Sequence, residues 1–356
     1  MVEAHGRQVR RPVTRADVAR YAGVSTAVVS YVINNGPKPV ALATADRVRR
    51  AIDVLGYRPN LSARALRSGL TRMLALVVSD ISNPFFADHA LQIQVEADKR
   101  GYALLIANTH GDPDIENSII EDLISRQVDG LILASTGLHP ERVRSLLQFG
   151  VATVVIDAAT PVDGLPSLGC DAAEGSRAVV EHLVTAHGHA QIALVIGQGV
   201  PGTDLREQGW LTATRRVGLL DGPIARRPFT RQGGYEAALH LLAGRKRPTA
   251  IFASSDLQGV GVLRAVQSLG LRVPDDVAVV SFDGTTESEF TSPPLTAARQ
   301  PVSEMAIASV RTVLAAETPS SIHQTFPMSL VLRESCGCLP ATVADPPAAV
   351  PRRRSK

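Results

Sequence analysis

The most constraining feature of the chain is a set of three short amphipathic helices between residues 12 and 67. Thr14 is suited to cap the first helix, with Asp17 as the return partner of a capping box, and Gly23 permits a tight turn before Ser25 caps the second helix. A three-helix unit of this size predicts a helix-turn-helix, whose second helix enters the major groove of DNA. Apolar residues mark one face of each helix: Val18, Ala19 and Ala22, then Val29, Val32 and Ile33, then Val48, Ile52 and Leu55.

Charge is distributed unevenly along the chain. Residues 1–72 carry 13 lysines and arginines against 4 aspartates and glutamates, a net charge of +9, whereas the rest of the chain has a net charge of −6. A basic segment joined to an acidic body favours a polyanionic partner that one end of the chain contacts. We therefore expect the head to bind double-stranded DNA. A basic face that is merely solvated is the alternative.

Other sequence features argue against export, membrane insertion and metal binding. The first residues, MVEAHGRQVRRPV, lack the apolar segment of a signal peptide, and apolar runs such as MLALVV are far shorter than a membrane span. Three cysteines in 356 residues fit a reducing compartment, so we expect a cytoplasmic protein with no membrane partner. Cys336 and Cys338 form a C-x-C pair, but zinc would need two more ligands and none follow. We therefore predict no metal site and no cofactor.

From Met73 the pattern changes to short apolar strands that alternate with helices. Four segments have the pattern of buried strands: MLALVVSD, YALLIAN, GLILAS and VATVVID. Three later segments have the same pattern: QIALVIG, TAIFAS and VAVVSFD. Such alternation predicts parallel sheets with right-handed crossovers, and here it predicts two of them. The segment after Pro340 is rich in proline and alanine and ends in a basic cluster, which is typical of disorder.

The order of the motifs resembles that of the lactose-repressor (LacI/GalR) family of bacterial transcription regulators. DVARYAGVSTAVVSYVIN and RVRRAIDVLGYRPNLSARALR resemble its DNA-binding head and hinge, and DISNPFF, LREQGW, SSDLQGVGVLRA and LRVPDDVAVVSFDG resemble its body. The resemblance covers about residues 12–335 and implies an all-α helix-turn-helix head plus an α/β, periplasmic-binding-protein-like body of two doubly wound parallel-sheet lobes. It also implies a regulator, most simply a repressor, whose DNA binding is controlled by a ligand between the lobes.

The same resemblance divides the chain and implies how its parts assemble. It implies three crossings of the chain between the lobes, and the tail lacks the leucine heptads of tetrameric relatives, so we expect a homodimer on a pseudo-palindromic operator. The expected divisions are a head at 12–58, a hinge helix and linker at 59–71, an effector-binding and dimerisation domain at 72–339, and a disordered tail at 340–356. Within the body, lobe 1 is expected at about 72–168 and 297–325, and lobe 2 at about 169–296 and 326–339.

The resemblance assigns base contacts to the start of the second helix. There Thr26 offers a hydroxyl and a methyl group, whereas Ala27 offers only apolar contact, so direct readout by this pair is modest. Tyr31, about a turn and a half further on, is expected to share in reading bases, and a tyrosine packed on the domain surface is the alternative. Phosphate contacts, which position the protein without reading sequence, are implied for Thr14, Ser25, Ser30, Asn34 and Thr44.

The hinge is too short to form a stable helix alone in water. In the family, two such turns fold together in the minor groove of the operator, and a leucine from each wedges into the central base step and kinks it. Leu66 occupies that position here; an ordinary core leucine is the alternative. The other implied DNA contacts in the hinge are Asn60, Ala63 and Arg64.

Effector contacts are also carried over from the family one position at a time. Carboxyl ends of parallel strands are where ligands of such sheets bind, and carboxylates, an arginine and phenyl rings together suit a polar metabolite such as a saccharide. The family's effectors include sugars, sugar phosphates, nucleosides, purines and protein co-regulators; we favour a carbohydrate as the commonest, and the sequence does not say whether it weakens or strengthens DNA binding. A helix cap is the alternative for each carboxylate. The implied contacts are Asp80, Phe85, Phe86, Arg206, Phe229, Asp256 and Asp283.

Specific residues suggest two rival functions. Residues 197–202 match the G-x-G-x-x-G pattern of a dinucleotide-binding enzyme, with Asp221 about 20 residues further on. However, Pro201 stiffens the turn, and the third glycine precedes the expected helix start near Asp204. A pure solute-binding protein would need only residues 72–339, and the head argues against it. We therefore predict that the chain is not an enzyme.

Overall fold

The computed structural model describes residues 11, 13–34, 36, 38–58, 65–66, 69–134, 140–218, 222–244, 246–315 and 322–339. The backbone forms two compact units, residues 1–71 and residues 72–356. The boundary between these units coincides with the expected end of the linker at residue 71. The expected disordered tail, 340–356, lies outside the described residues.

Among residues 13–58 that are described, the first unit forms three helices, α1 (Arg15–Ala22), α2 (Thr26–Asn34) and α3 (Leu42–Leu55). The predicted caps are confirmed: Thr14 and Asp17 form a reciprocal capping box, and Gly23 ends α1 with a φ of 65°, which favours glycine. The backbone amide of Val28 donates to the Oγ of Ser25 over 3.3 Å at the start of α2. The three helices bury a small core that contains Val18, Ala19, Ala22, Val29, Val48, Ala51 and Tyr57.

The second unit contains two six-stranded sheets, as the strand–helix alternation predicted. The sheet of lobe 1 has the order β11-β5-β4-β3-β1-β2, and that of lobe 2 has the order β12-β10-β9-β8-β6-β7. All strand pairs are parallel except β10 with β12. The strands are β1 (Met73–Val78), β2 (Ala103–Asn108), β3 (Gly130–Ala134), β4 (Ala152–Val155), β5 (Ser167–Cys170), β6 (Ile192–Ile196), β7 (Ile224–Arg226), β8 (Ala250–Ala253), β9 (Ala278–Asp283), β10 (Thr296–Arg299), β11 (His323–Phe326) and β12 (Ser329–Val331).

Helices connect most of the consecutive parallel strands within each lobe, although residues 156–166 join β4 to β5 without a helix. Continuous apolar strands such as β1 and β3 are buried on both faces because helices cover both sides of the sheet. None of the helices in the described residues is long and apolar enough to cross a lipid bilayer. The helices are α4 (Pro84–Asp98), α5 (Pro113–Ser125), α6 (Pro140–Phe149), α7 (Ala172–Thr185), α8 (Leu205–Arg216), α9 (Arg231–Leu242), α10 (Asp256–Ser268), α11 (Thr286–Glu289), α12 (Val302–Val313) and a 3₁₀ turn (Glu334–Cys336).

The chain passes between the two sheets three times: after β5, after β10 and after β11. The second crossing lies beyond Arg299, so the expected boundary at 296–297 falls inside β10 and is a few residues early. The reason is that β10 pairs with β9 as far as Arg299 before the chain leaves the lobe-2 sheet. Residues 302–313 then pack as α12 against α4 of lobe 1.

Candidate DNA-binding and effector sites

The start of α2 presents its side chains to solvent. Ser25, Thr26 and Ala27 are exposed, whereas Val29 of the same helix is fully buried in the core of the head. The fold therefore holds the N-terminal end of α2 at the surface, where the helix dipole and free amide groups favour an anionic partner. This exposure suits the predicted base contacts of Thr26 and Ala27.

Tyr31 is half-buried, and its ring packs beside Gly36. A Cβ at residue 36 would come within 2.6 Å of the Cδ1 atom of Tyr31, so a glycine is needed where the chain leaves the helix. The tyrosine therefore has a packing role, which was the alternative to base reading. Its remaining exposure leaves part of the ring free for a second contact.

The residues with implied phosphate contacts have local partners in the head. Asn34 is exposed, and its Nδ2 donates to the Ser30 carbonyl over 3.0 Å and lies 3.2 Å from the Ser30 hydroxyl. Thr14 and Ser25 cap α1 and α2, and half-buried Thr44 lies in the first turn of α3. Capping leaves a hydroxyl oxygen at each helix N-terminus, so it is compatible with a phosphate contact.

Within residues 59–68, Ala65 and Leu66 are described, and both are helical. Leu66 is 90% exposed, so it is not the ordinary core leucine of the alternative reading. Because the side chain is exposed to water, it could insert between base pairs without breaking contacts in the protein core. The predicted contacts Asn60, Ala63 and Arg64 lie outside the described residues.

A cavity of about 1120 Å³ lies between the two lobes at the carboxyl ends of their strands. Loops after β1 and β4 supply one wall from lobe 1, and loops after β6, β7 and β9 supply the other from lobe 2. This is where ligands of parallel sheets bind. Six of the seven predicted contacts line it: Asp80, Phe85, Phe86, Arg206, Phe229 and Asp283.

The loop after β1 is fixed by short polar contacts. The Oδ1 atom of Asp80 accepts hydrogen bonds from the backbone amide and hydroxyl of Ser82. Asn83 caps α4 by accepting from the amide of Phe85 over 3.1 Å. Phe85 and Phe86, in the first turn of α4, pack edge to face with ring centroids 5.1 Å apart, and both line the cavity.

Arg206 is the most constrained cation of the cavity. Its Nε and Nη2 form a fork on the two carboxylate oxygens of Asp204, at 2.9 and 2.7 Å, and its Nη1 donates to the Ser254 carbonyl. The guanidinium carbon lies 4.6 Å from the ring centroid of Phe229 and 5.5 Å from that of Phe282. Burial disfavours the charge, but Asp204 more than compensates and raises the pKa of Arg206. The guanidinium is therefore held in place before any ligand arrives.

Two carboxylates of the cavity were missed by the sequence reasoning, Asp157 after β4 and Asp204 at the start of α8. Burial raises the pKa of Asp157 to about 6, although the charge of Arg206 opposes the shift. Burial also tends to raise the pKa of Asp204, but the fork from Arg206 outweighs it and the pKa is lowered. The signal for Asp157 was present, because it follows a buried strand as Asp80 does.

Asp283, at the end of β9, is buried and has a φ of 98°, in the left-handed region. Its Oδ1 accepts a hydrogen bond from Nε2 of Gln300 over 3.0 Å. Within the described part of the chain, the Oε1 atom of buried Gln300 accepts no hydrogen bond, and Gln300 lines the cavity. Burial, with the nearby charge of Asp256, raises the pKa of Asp283 well above its usual value.

Comparison with known proteins places these features in a family. Residues 14–60 match a model described as bacterial regulatory proteins of the lacI family, and residues 180–336 match one for a periplasmic binding protein-like domain. The ribose operon repressor of Escherichia coli (strain K12) is 34% identical over 317 residues, 87% of this chain and 95% of that protein. The chain belongs to the LacI family. It is a DNA-binding transcriptional regulator.

Solved structures of other regulators resemble most of the chain. The lac repressor dimer bound to operator and the anti-inducer ONPF superposes with a TM-score of 0.78 at 28% identity, and covers 92% of this chain and 99% of that one. The complex of the transcriptional regulator CelR with cellobiose has a TM-score of 0.66 at 31% identity, and covers 91% of this chain and 100% of that one.

The structure corrects the role assigned to Asp256 in this LacI-family regulator. Asp256 is 2% exposed and is not among the residues that line the cavity. Its Oδ1 accepts from the hydroxyl of Ser281, and its Oδ2 accepts from the amide and hydroxyl of Thr285. Its carboxylate therefore joins α10 to β9 and to Thr285. The cap alternative is not borne out either, because Ser255 is the N-cap of α10.

The glycine-rich segment of the regulator is a loop of the cavity. Gly197, Gly199 and Val200 line the cavity, and α8 begins only at Leu205, after Asp204 as N-cap. A Cβ at residue 197 would meet the ring of Phe229 at 2.2 Å, so this glycine makes room for the aromatic ring that covers Arg206. The third glycine precedes the helix, as expected from the sequence.

The reason for predicting no metal site does not hold in the fold. We expected no partners for Cys336 and Cys338, but the fold brings His182 and His187 to them from about 150 residues earlier in the chain. A search for ligands downstream of the C-x-C pair could not find them, because the contact is made by tertiary folding. This cluster lies outside the effector cavity.

Proposed function

We propose that this regulator is a repressor that binds a pseudo-palindromic operator as a homodimer, and that a neutral carbohydrate in the inter-lobe cavity controls its DNA affinity. The protein acts in the cytoplasm, where bacterial DNA lies, and catalyses no reaction. The effector assignment rests on the position of Arg206 in the cavity. Asp204 holds its guanidinium and Phe229 stacks on it, and several carboxylates line the same cavity.

The charge of the cavity favours a neutral effector over a phosphorylated one. Five aspartates line it, at positions 80, 157, 163, 204 and 283, against three arginines at positions 144, 206 and 226. Two of those arginines are already paired, Arg206 with Asp204 and Arg226 with Glu207. Even without Asp283, whose pKa is raised by burial, the four other aspartates outnumber the three arginines, so an added phosphate would meet negative charge. Sugar hydroxyls instead donate to carboxylates and to acceptors such as Gln300 Oε1.

Aromatic rings in the cavity also favour a sugar. Phe85 and Phe86 from lobe 1 and Phe229 and Phe282 from lobe 2 all line the cavity. Sugar rings have an apolar face of C–H groups and an edge of hydroxyls, so they suit a site that combines phenyl surfaces with a few fixed polar groups. The relatives include a ribose operon repressor and a regulator solved with cellobiose, which supports the same class of effector.

A ligand in this cavity touches both lobes and can therefore bias their arrangement. Asp80, Phe85 and Asp157 belong to lobe 1, whereas Arg206 and Asp283 belong to lobe 2. Binding that bridges the lobes shifts the equilibrium toward the arrangement with better contacts to the ligand. Hinge helices too short to be stable alone would respond to such a shift by folding or melting on DNA.

An apolar face on lobe 1 supports the homodimer. Leu91 and Val95, one turn apart on α4, are 57% and 44% exposed, and Ile106 on the edge strand β2 is 45% exposed. Large apolar side chains grouped on one helix and the strand beside it favour burial against another surface. A second copy of this chain is the partner that a pseudo-palindromic operator requires.

The proposal is tested with the full chain in two linked measurements. Selection from random double-stranded DNA should yield a pseudo-palindrome whose affinity falls steeply with salt. Neutral mono- and disaccharides, sugar phosphates and nucleosides are then screened for a change in operator affinity and in melting temperature. We expect a neutral sugar to change operator affinity at least tenfold. A response to nucleosides or sugar phosphates alone would contradict the effector class, and failure to select any sequence would contradict DNA recognition.

A further inference from the structure

Four side chains with metal-binding atoms meet in lobe 2, away from the effector cavity. His182 lies near the end of α7, His187 lies in the turn that follows, and Cys336 and Cys338 flank Gly337 at the end of the 3₁₀ turn. Their ligand atoms all lie within 4.8 Å of one another. Cys336 is buried and the other three are half-buried, so the cluster sits just below the surface.

Four of the six separations between these ligand atoms are close to those around one tetrahedral ion. Zinc bonds of about 2.0–2.1 Å to nitrogen and about 2.3 Å to sulfur place two nitrogens about 3.3–3.4 Å apart and a nitrogen about 3.5–3.6 Å from a sulfur. Here the Nε2 atoms of His182 and His187 are 3.2 Å apart. The Sγ of Cys338 is 3.4 Å from His182 Nε2 and 3.5 Å from His187 Nε2, and the Sγ of Cys336 is 3.6 Å from His182 Nε2.

We propose that His182, His187, Cys336 and Cys338 bind one Zn²⁺ ion as a tetrahedral Cys₂His₂ site. Two thiolates and two imidazoles are a ligand set that zinc prefers, and four protein ligands leave no open position for a substrate. The site is therefore structural rather than catalytic. On binding, each cysteine thiol loses its proton to solvent and both histidines coordinate in their neutral form.

The residues around the cluster support metal binding. Gly337 has a φ of 103°, and a Cβ there would come within 3.1 Å of the His187 Nδ1, so only glycine allows the two cysteines to face the histidines. The hydroxyl of buried Thr296 lies 3.0 Å from the Sγ of Cys336, where it supports a thiolate from outside the ligand shell.

The ion would fasten the end of the body to lobe 2. The two histidines and the two cysteines are separated by about 150 residues in sequence, and both pairs belong to the same lobe, because α7 packs on β9, β10 and β12 and the 3₁₀ turn packs on β9 and β10. Zinc would therefore hold residues 334–338 against α7 without joining the two lobes. Its removal should lower stability and leave the effector contacts in place.

The principal competing chemistry is a disulfide between Cys336 and Cys338. Forming it would remove two hydrogens from the pair and require an oxidant, and the oxidised sulfurs would no longer bind zinc. The two outcomes differ in mass and in thiol count. They can therefore be separated on the same protein sample.

The first test uses the full wild-type chain, purified under reducing conditions without chelator, with metal content measured by mass spectrometry of the elements. We expect one zinc per chain and a melting temperature that falls on chelation and recovers with added zinc. Replacement by Co²⁺ should give the intense visible bands of a tetrahedral site with sulfur charge transfer. Zinc below about a tenth per chain after reloading, or cobalt spectra without sulfur bands, would overturn the site, as would a Cys336–Cys338 disulfide in the reduced preparation.

Variants then identify the ligands. C336S/C338S and H182Q/H187Q should each lower the zinc content at least tenfold. The matched controls C170S and H189Q, which replace a cysteine and a neighbouring histidine outside the cluster, should retain one zinc per chain. Full zinc in either ligand variant, or zinc lost equally in the controls, contradicts the assignment. Should a ligand variant fail to fold, the cobalt spectrum of the wild-type chain still decides the question.

Discussion

The guanidinium of Arg206 lies 4.6 Å from the ring centroid of Phe229 while its two terminal nitrogens are held by Asp204 and by the Ser254 carbonyl. The stacking fixes the plane of the guanidinium and the fork fixes its rotation, so the side chain loses little freedom when it contacts a ligand. The residual exposure of the guanidinium faces the cavity. Recognition here depends on a cation that is oriented in advance by its own lobe.

Replacement of Arg206 by alanine should weaken effector affinity at least tenfold and abolish the effector response, while operator binding without effector is retained. Lysine at the same position should be intermediate at best, because an ammonium cannot form the fork and stack at once. Titration calorimetry with the sugar found in the screen measures both. R272A is the control, because Arg272 is an exposed arginine paired with Asp276 on the same lobe. Normal control of DNA binding by the effector in R206A would remove Arg206 from the site.

Effector affinity should depend on the ionisation of Asp157. With a pKa of about 6 in the folded protein, this carboxylate accepts hydroxyl donors fully above pH 7 and loses that capacity as pH falls through 6. We expect affinity to be about fourfold weaker at pH 5.5 than at pH 7.5, from the fraction ionised. D157N should bind more weakly at pH 7.5 and lose the dependence. An affinity that is flat across this range in the wild type contradicts the contact.

The same carboxylate should make the body less stable at high pH. A folded-state pKa raised above the unfolded value means that the cost of burying the charge is absent below pH 4, grows between about pH 4 and pH 6, and is constant above that. D157N should therefore raise the stability by about 1–2 kcal/mol at pH 8 and by nothing measurable at pH 4. Asparagine tolerates the φ of 59° at this position, so strain does not obscure the comparison. Chemical denaturation at the two pH values measures the difference.

The fold and most of the site could be predicted from sequence because they depend on local pattern. Capping at Thr14 and Ser25 follows from spacing along one helix, whereas Asp80 and Arg206 were implied by the resemblance of their motifs to the LacI family. What could not be predicted depends on tertiary contacts. Asp256 resembles a ligand in its motif, but Ser281 and Thr285 satisfy its carboxylate. His182 and Cys336 are 154 residues apart, and only the folded lobe brings them together.

The apolar face on α4 should be required for dimer formation. Leu91 and Val95 are exposed in the single chain and would be buried in the dimer, so replacing them removes that burial energy. Two glutamates there would also bring like charges together across a symmetric contact. L91E/V95E should therefore shift the chain toward monomer by sedimentation velocity and lower operator affinity in proportion. L269E, at an exposed leucine beyond α10 in lobe 2, is the control. A double variant that remains dimeric would place the interface elsewhere.

Leu66 should act on DNA and not on the fold. Because its side chain is 90% exposed, L66A removes no core contact, and the melting temperature of the full chain should stay unchanged. On the operator, loss of the wedge should weaken binding at least tenfold and reduce DNA bending, since insertion into a base step produces the kink that brings further protein surface onto the duplex. Effector affinity, which depends on residues of the body, should be unaffected. The measurements are operator affinity and bending by fluorescence, with V54A as a control at an exposed apolar residue of α3. Wild-type affinity and bending in L66A would show that this leucine enters no base step, and the hinge would then have to contact DNA through its backbone and polar groups alone.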